Sequence, residues 1–299
     1  MSKIPTCVVI VGPTAVGKTA FAIEIARALQ SQIISADSRQ CYRELNIGVG
    51  KPPEAQLRQV KHYFINSHSI QQEVNAASFE QYALAATEEI FKIADHAVVV
   101  GGTGLYIDAF CNGMDDVPQV SPEVRNNIIE QYMENGIGWL QEEVRKVDLE
   151  YFKDCEKLNP RRLMRALEVK LSTGRSIVSF HSRQKRNRAF SIVKIGLELP
   201  RDVLYQQINM RVDEMVKNGL EEEVRDLIPF ENLNALNTVG YKELFKFFHG
   251  QCSFSESIDL IKKNTRHYAK RQITWFKKDE STKWIHPANR AGIAELLLA

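Results

Sequence analysis

Near the N-terminus the run Gly12-Pro13-Thr14-Ala15-Val16-Gly17-Lys18-Thr19 follows the spacing G-x-x-x-x-G-K-[ST]. That spacing suits anion chemistry. Glycines at its ends let backbone N–H groups turn inward around a common point, and the helix that follows adds partial positive charge from its N-terminus. Lys18 would reach the terminal phosphate, and the Thr19 hydroxyl would hold a magnesium ion bridging phosphate oxygens. A glycine turn that binds nothing is the competing reading. Context favours the phosphate loop: the run from Thr6 to Val11 reads as a buried strand, and Phe21, Ile23, Ala26 and Leu29 give the inner side of an amphipathic helix.

A loop of this kind ordinarily suggests ATP or GTP, with an acidic metal ligand at the end of a neighbouring apolar strand. Ala97 to Val100 is such a strand, suited to a parallel sheet buried on both faces, but it runs into Gly101-Gly102-Thr103-Gly104-Leu105-Tyr106. A turn and a hydroxyl stand where a carboxylate is expected, which weakens the nucleotidase reading. The nearest acid, Asp37, follows a second short strand, Gln32 to Ser35. An aspartate there can act as a base, or simply shape a turn or cap a helix.

The elements around these residues alternate as in an α/β fold. A helix is expected from Ser78 to Ile93, with Ser78 and Gln81 forming a capping box. After Asn112-Gly113 the pattern changes to short helical segments, with starts at Ser121-Pro122 and Asn159-Pro160 and a stop at Gly174. A strand returns from Ile192 to Leu199, followed by helices ending at Gly219, near Pro229 and near Gly250, then one long basic helix from about Ser255 to Lys278. The expected architecture is therefore a P-loop NTPase-like α/β core, a parallel sheet flanked by helices, built from 1–114 and 191–299, with a mostly helical insertion at 115–190.

With 299 residues and a net charge of only +2, global charge argues for neither nucleic acid nor membrane. No apolar stretch is long enough to span a bilayer and no signal-like segment is seen, so a cytoplasmic enzyme is expected. Cys7, Cys41, Cys111, Cys155 and Cys252 lack the paired spacing of a zinc site or disulfide framework and are read as reduced. The local charge is uneven. Arg161, Arg162, Arg165, Lys170, Arg175, Arg183, Lys185, Arg186 and Arg188 are interrupted by a single acid, Glu168, and form either a phosphate-backbone surface or a solvated face. The long C-terminal helix adds further lysines and arginines with Tyr268, Trp275 and Phe276 interleaved, aromatics better assigned to packing than to base stacking.

Taken in order, the phosphate loop, Asp37-Ser38-Arg39-Gln40 with Tyr42, Lys51-Pro52, Gly101 to Tyr106, Arg161-Arg162 with Arg165 to Val169, Thr173-Gly174, Arg211, Gly219-Leu220, Gly240-Tyr241-Lys242-Glu243 and Ala269-Lys270-Arg271-Gln272 with Thr274-Trp275 resemble the tRNA dimethylallyltransferases over nearly the whole chain. The resemblance implies transfer of a dimethylallyl group from dimethylallyl diphosphate to N6 of the adenine immediately 3′ of the anticodon, with magnesium as cofactor. The phosphate loop then holds a diphosphate, since it recognises phosphate oxygens and charge and not a nucleobase. By the same resemblance Asp37 takes the N6 proton, Thr103 positions the reaction centre and Arg211 approaches the diphosphate. Asp37, Ser38, Arg39, Gln40, Thr103 and the stretch Arg161, Arg162, Leu163, Met164 and Arg165 would meet the tRNA. The target base has to be extruded from the anticodon loop to reach them. Without the resemblance, Arg211 would pass for a surface ion pair and Thr103 for a helix cap. No membrane contact or obligate protein partner is expected, and a monomer is.

Two positions depart from the family pattern. Val49 stands where a threonine is common, and Tyr63 follows His62 where two histidines are usual. Two rival functions share the fold or the charge: a P-loop small-molecule kinase, and a non-catalytic RNA-binding protein with a relic loop.

Overall fold

Runs of β-branched residues form strands because their branched side chains pack well on a pleated surface, and the first of them, β1 (Thr6–Val11), is buried from Cys7 onward. In this computed structural model, which describes residues 4–181 and 186–289, β1 is followed by α1 (Lys18–Ala28), β2 (Ile33–Ser35), α2 (Glu54–Leu57), β3 (His62–Tyr63), α3 (Ala76–Phe91), β4 (His96–Val100) and α4 (Gly104–Asn112). Then come α5 (Pro122–Val147), α6 (Leu149–Asp154) and α7 (Pro160–Thr173). The chain closes with β5 (Ser191–Leu197), α8 (Arg201–Lys217), α9 (Leu220–Asp226), α10 (Tyr241–Phe248), α11 (Phe254–Phe276) and β6 (Lys283–Ile285).

The strands form one sheet in the order β3-β2-β4-β1-β5-β6. Every pairing is parallel, with Cys7 opposite Ala97 on one side and Ile192 on the other. Both faces of such a sheet must be covered, and on one of them Val8, Ile10, Val98, Val100, Ile195 and Leu197 pack with Phe21, Ala22 and Ile25 of α1, Leu204 and Ile208 of α8, and Ala269 of α11. Because all strands point the same way, the turns after β1, β2 and β4 emerge together at the carboxyl ends of the strands, where open α/β folds bind ligands. Those turns carry the phosphate loop, Asp37 and Thr103.

The chain divides into two compact units, Met1–Gly113 with Asn187–Ala299, and Met114–Arg186. In the second, α5 and α7 pack through Ile128, Leu140, Val144, Leu163 and Leu167. Its helices start on side-chain caps that satisfy orphan backbone donors: Ser121 on Val124, Asp148 on Tyr151 and Asn159 on Arg162. Gly174 ends α7 in the left-handed conformation that glycine adopts without cost. No helix among the described residues is long and apolar enough to cross a membrane.

Two local expectations are corrected. The α3 capping box is formed by Asn75 and Ser78, not Ser78 and Gln81: Ser78 N–H donates to Asn75 Oδ1 at 3.0 Å and Asn75 N–H to Ser78 Oγ at 3.0 Å. Ser78 sits at the third helical position, so the helix begins at Ala76, earlier than expected. The edge strands β3 and β6 were not foreseen, because segments of two and three residues carry no periodic signal.

Candidate active site

The phosphate loop leaves β1 through Gly12, whose φ of +146° and close approach to Leu197 leave no room for a side chain: a Cβ would lie 2.6 Å from the Leu197 carbonyl oxygen. Ala15 and Gly17 also have positive φ, 64° and 92°, which turns the backbone of the loop before α1 begins at Lys18. The Lys18 ammonium donates to the carbonyls of Gly12 (3.0 Å) and Pro13 (2.7 Å). Desolvation, reinforced by the charge of Arg211 and opposed by that of Asp37, pushes its pKa down to about 7.

Asp37 lies two residues beyond the end of β2. Its Oδ1 accepts the N–H groups of Arg39 (2.9 Å) and Gln40 (3.2 Å), so the aspartate does shape the turn. Oδ2 takes no hydrogen bond from the described residues, and Asp37 lines two adjoining cavities. One oxygen therefore shapes the turn, while the other is left without a hydrogen bond among the described residues. Thr103 occupies the N-cap position of α4 yet makes no capping bond; its Oγ1 accepts the N–H of Ser38 at 3.1 Å instead. That bond ties the turn after β4 to the turn after β2. Tyr268 of α11 lies close to Thr103 and Asp37; burial first, then the negative charge of Asp37, push its phenol up to about 12.

Arg211, on α8, is not a surface ion pair. Its guanidinium donates to Thr14 Oγ1 (3.3 Å) and to the Gly50 carbonyl (3.2 Å), and desolvation lowers its pKa against the opposing pull of Asp37 and Glu214. Gln272 of α11 is buried and joins two turns: its Oε1 accepts Thr14 N–H at 2.8 Å while its Nε2 donates to the Gly102 carbonyl at 2.8 Å. Around these groups lie two cavities, of about 920 and 330 Å³, which share Thr14, Asp37, Val49, Arg211, Met215 and Tyr268. The larger is lined by Lys18, Thr19, Ser35 and Gln40. The smaller is more apolar, with Ile208, Val212 and Ile261 facing Ser38 and Arg39. The phosphate-loop cavity thus adjoins a smaller, more apolar one, with one carboxylate on the border of both.

The first unit brings together the residues of the loop from Gly12 to Thr19, Asp37, Ser38, Gln40, Thr103 and Arg211. Arg39 belongs with them, but its guanidinium donates to the carbonyls of Asn234 (2.9 Å) and Asn237 (3.5 Å). Departure from the family pattern matters differently at the two positions: Val49 lines both cavities, whereas Tyr63 hydrogen-bonds Glu89 at 3.0 Å away from them.

The helical unit carries the remaining candidates on α7. Arg161 and Arg162 are exposed, and Arg162 meets Glu156 at 3.0 Å. Arg165 donates to Glu168 (3.3 Å) and to the Pro118 carbonyl (3.2 Å), which holds it in place while leaving it partly open. Leu163 is corrected: it is fully buried in the core of this unit, and Met164 packs beside that core. Arg188 also leaves the basic surface, since its guanidinium is buried on Glu80 and on the carbonyls of Ala109 and Phe110. Arg183 and Lys185 lie outside the described residues. Two residues reach the site from the distant helix α11: Tyr268, assigned to packing on its sequence pattern, and Gln272, whose one advance signal is the run Ala269 to Gln272.

A family model described as IPP transferase matches residues 40–279. The chain is 48% identical to a tRNA dimethylallyltransferase of Christiangramia forsetii over 276 residues, 92% of this chain and 91% of that protein. It is 42% identical to tRNA dimethylallyltransferase 1 of Bacteroides thetaiotaomicron over 98% of this chain and 95% of that one. A crystal structure of the full-length tRNA isopentenylpyrophosphate transferase from Bacillus halodurans is similar at 32% identity and a TM-score of 0.70, covering 98% of this chain and 94% of that chain.

Proposed function

Because the chain belongs to the IPP transferase family of tRNA dimethylallyltransferases, we propose that it moves a dimethylallyl group from dimethylallyl diphosphate to N6 of the adenine immediately 3′ of the anticodon, with Asp37 as the proton acceptor. The observation that carries this assignment is the position of Asp37: it borders the phosphate-loop cavity and the more apolar pocket, with one carboxylate oxygen uncommitted.

The exocyclic amine of adenine is a weak nucleophile because its lone pair is delocalised into the ring. As the N–C bond forms and the allylic C–O bond breaks, the amine becomes acidic, and Asp37 Oδ2 can accept the proton it sheds. Oδ1 meanwhile stays fixed on Arg39 and Gln40, so the base is oriented before substrate arrives. Negative charge accumulates on the departing diphosphate. Lys18 and Arg211 line the larger cavity beside the loop and would stabilise the charge as it develops. Lys18 must exchange the carbonyls of Gly12 and Pro13 for phosphate oxygens.

Magnesium fits this site on the chemistry of its donors. Thr19 and Ser35 hydroxyls and the Asp37 carboxylate, oxygen donors all, line the larger cavity, and no cluster of three or more His, Cys, Asp or Glu occurs among the described residues. A hard cation that keeps its waters and takes most of its ligands from substrate phosphates suits so sparse a set. Thr19 would hold it, and when bound it supplies further neutralisation of the leaving diphosphate.

Acceptor recognition is assigned to Asp37, Ser38, Arg39, Gln40 and Thr103 at the pocket and to the exposed Arg161 and Arg162 and the partly open Arg165 on the helical unit, whose guanidinium groups suit RNA phosphates. Incubation with dimethylallyl diphosphate, magnesium and unmodified tRNA, followed by mass spectrometry of the nucleosides, tests the proposal. Prenylated adenosine is expected; its absence with intact protein refutes it, and ADP formation from ATP with small acceptors would favour a kinase.

A further inference from the structure

The segment from Asn46 to Pro53 forms a lip of the larger cavity, and one carboxylate outside that cavity holds it. Glu223 of α9 accepts the N–H groups of Asn46 (3.1 Å) and Ile47 (2.7 Å) at Oε2, and the Gly48 N–H (2.9 Å) and the Tyr241 hydroxyl proton (2.7 Å) at Oε1. Consecutive N–H groups converging on one carboxylate form a backbone nest, here filled from within the protein. The Tyr241 ring supports the same segment from below: a Cβ at Gly48 would lie 2.7 Å from it. Burial, then the charge of Glu223, push the Tyr241 phenol strongly upward, which keeps it a donor.

On its other side the segment offers carbonyls to the site. Gln40 Nε2 donates to Val49 (3.4 Å) and Gly50 (3.2 Å), and Arg211 donates to Gly50 (3.2 Å) and Thr14 Oγ1 (3.3 Å). The approach is close: with φ at +56°, a Cβ on Gly50 would stand 1.5 Å from an Arg211 nitrogen. The guanidinium occupies the space a side chain on Gly50 would take, and its bond to the Gly50 carbonyl ties its position to the segment.

Resting on the diphosphate reading of the phosphate loop, we infer that Glu223 is a positioning residue for the donor side of the reaction, fixing the segment at 46–50 so that Gly50 holds the Arg211 guanidinium over Thr14. Glu223 touches no substrate. It acts through the backbone nest, and Tyr241 acts with it.

Glu223→Gln tests this, because an amide keeps the shape but turns an –NH2 toward donors that need an acceptor. KM for dimethylallyl diphosphate and the dissociation constant of inorganic diphosphate should both rise at least fivefold, with kcat and tRNA affinity within about twofold of wild type. In an Arg211→Ala background the same substitution should add almost nothing to the loss of diphosphate binding, since coupled residues are non-additive. Tyr241→Phe, which keeps the carboxylate and removes one donor, should shift both constants in the same direction by a smaller factor; it serves if Glu223→Gln does not fold. Unchanged diphosphate binding in either folded variant, or full additivity with Arg211→Ala, overturns the inference. If wild type prenylates tRNA while these variants bind diphosphate normally, the inference about Glu223 falls alone; failure of wild type to prenylate condemns the functional assignment itself.

Discussion

Replacing Asp37 by asparagine separates chemistry from architecture. Asparagine retains an acceptor oxygen at the Oδ1 position, so the bonds from Arg39 and Gln40 N–H survive, while its amide cannot take a proton. A positioned general base contributes about 10²- to 10⁴-fold in rate, roughly 3–5 kcal/mol of barrier. Asp37→Asn should lower the single-turnover rate of prenyl transfer by that factor, with tRNA affinity within about threefold of wild type and stability within about 0.5 kcal/mol. Asp37→Ala loses the chemistry and both turn bonds as well; at about 1 kcal/mol each, it should cost a further ~2 kcal/mol of unfolding free energy. Rapid-quench transfer of labelled donor gives the first quantity and urea unfolding the second. Wild-type turnover by Asp37→Asn would remove Asp37 from proton transfer. Equal destabilisation by the two variants would refute the division of labour between its oxygens.

Other outcomes follow from the same geometry. Only the protonated form of Lys18 attracts an anion, and binding raises its pKa above the value of about 7 set by desolvation, so diphosphate affinity measured by calorimetry should fall about tenfold per pH unit above pH 7.5. Lys18→Arg, with a cation that does not titrate in that range, should flatten the profile. Replacing Arg161, Arg162 and Arg165 by alanine should weaken tRNA binding and reduce the slope of log K against log salt by about 2–3, because fewer counterions are released; an unchanged slope marks a merely solvated face. Leu163→Ala, at a fully buried position between α5 and α7, should destabilise the chain by about 2–5 kcal/mol and act on tRNA only through that loss.

How much of this site could be read from the residues depended on how local its determinants are. The phosphate loop is contiguous, and its glycines, lysine and threonine announce both the turn and its charge. Strands β1 and β4 were legible because a parallel strand covered on both faces has to be apolar throughout. Asp37 stayed ambiguous on the residues alone, since an acid after a strand can shape a turn or take a proton; in the structure Oδ1 shapes the turn and Oδ2 takes no hydrogen bond from the described residues. Gln272 and Tyr268 could not be placed from spacing, because they reach the site through a helix whose docking depends on the whole core, and Glu223 supports the 46–48 backbone from outside the site in the same way. Leu163 shows the converse difficulty: the family resemblance set it among the tRNA contacts, whereas the helical period that buries it beside Leu167 assigns it to packing.

The missing acid at the end of β4 has a steric cause. A Cβ at Gly101 would lie 2.1 Å from the Ala36 carbonyl oxygen, and one at Gly102 would lie 2.1 Å from Gln272 Nε2. No carboxylate can therefore be carried at either position while β2 and β4 remain paired and Gln272 bridges to Thr14. The closeness that excludes an acid there brings Ala36 against the β4 turn, with Ala36 accepting Thr103 N–H at 3.3 Å and Thr103 accepting Ser38 N–H at 3.1 Å. Asp37 lies between those two contacts. The acid of this site stands one strand away instead, after β2, on the border of the two cavities. In that position a carboxylate is suited to receive a proton as a neutral amine attacks carbon, and a loop built for phosphate can serve a reaction in which diphosphate is the leaving group.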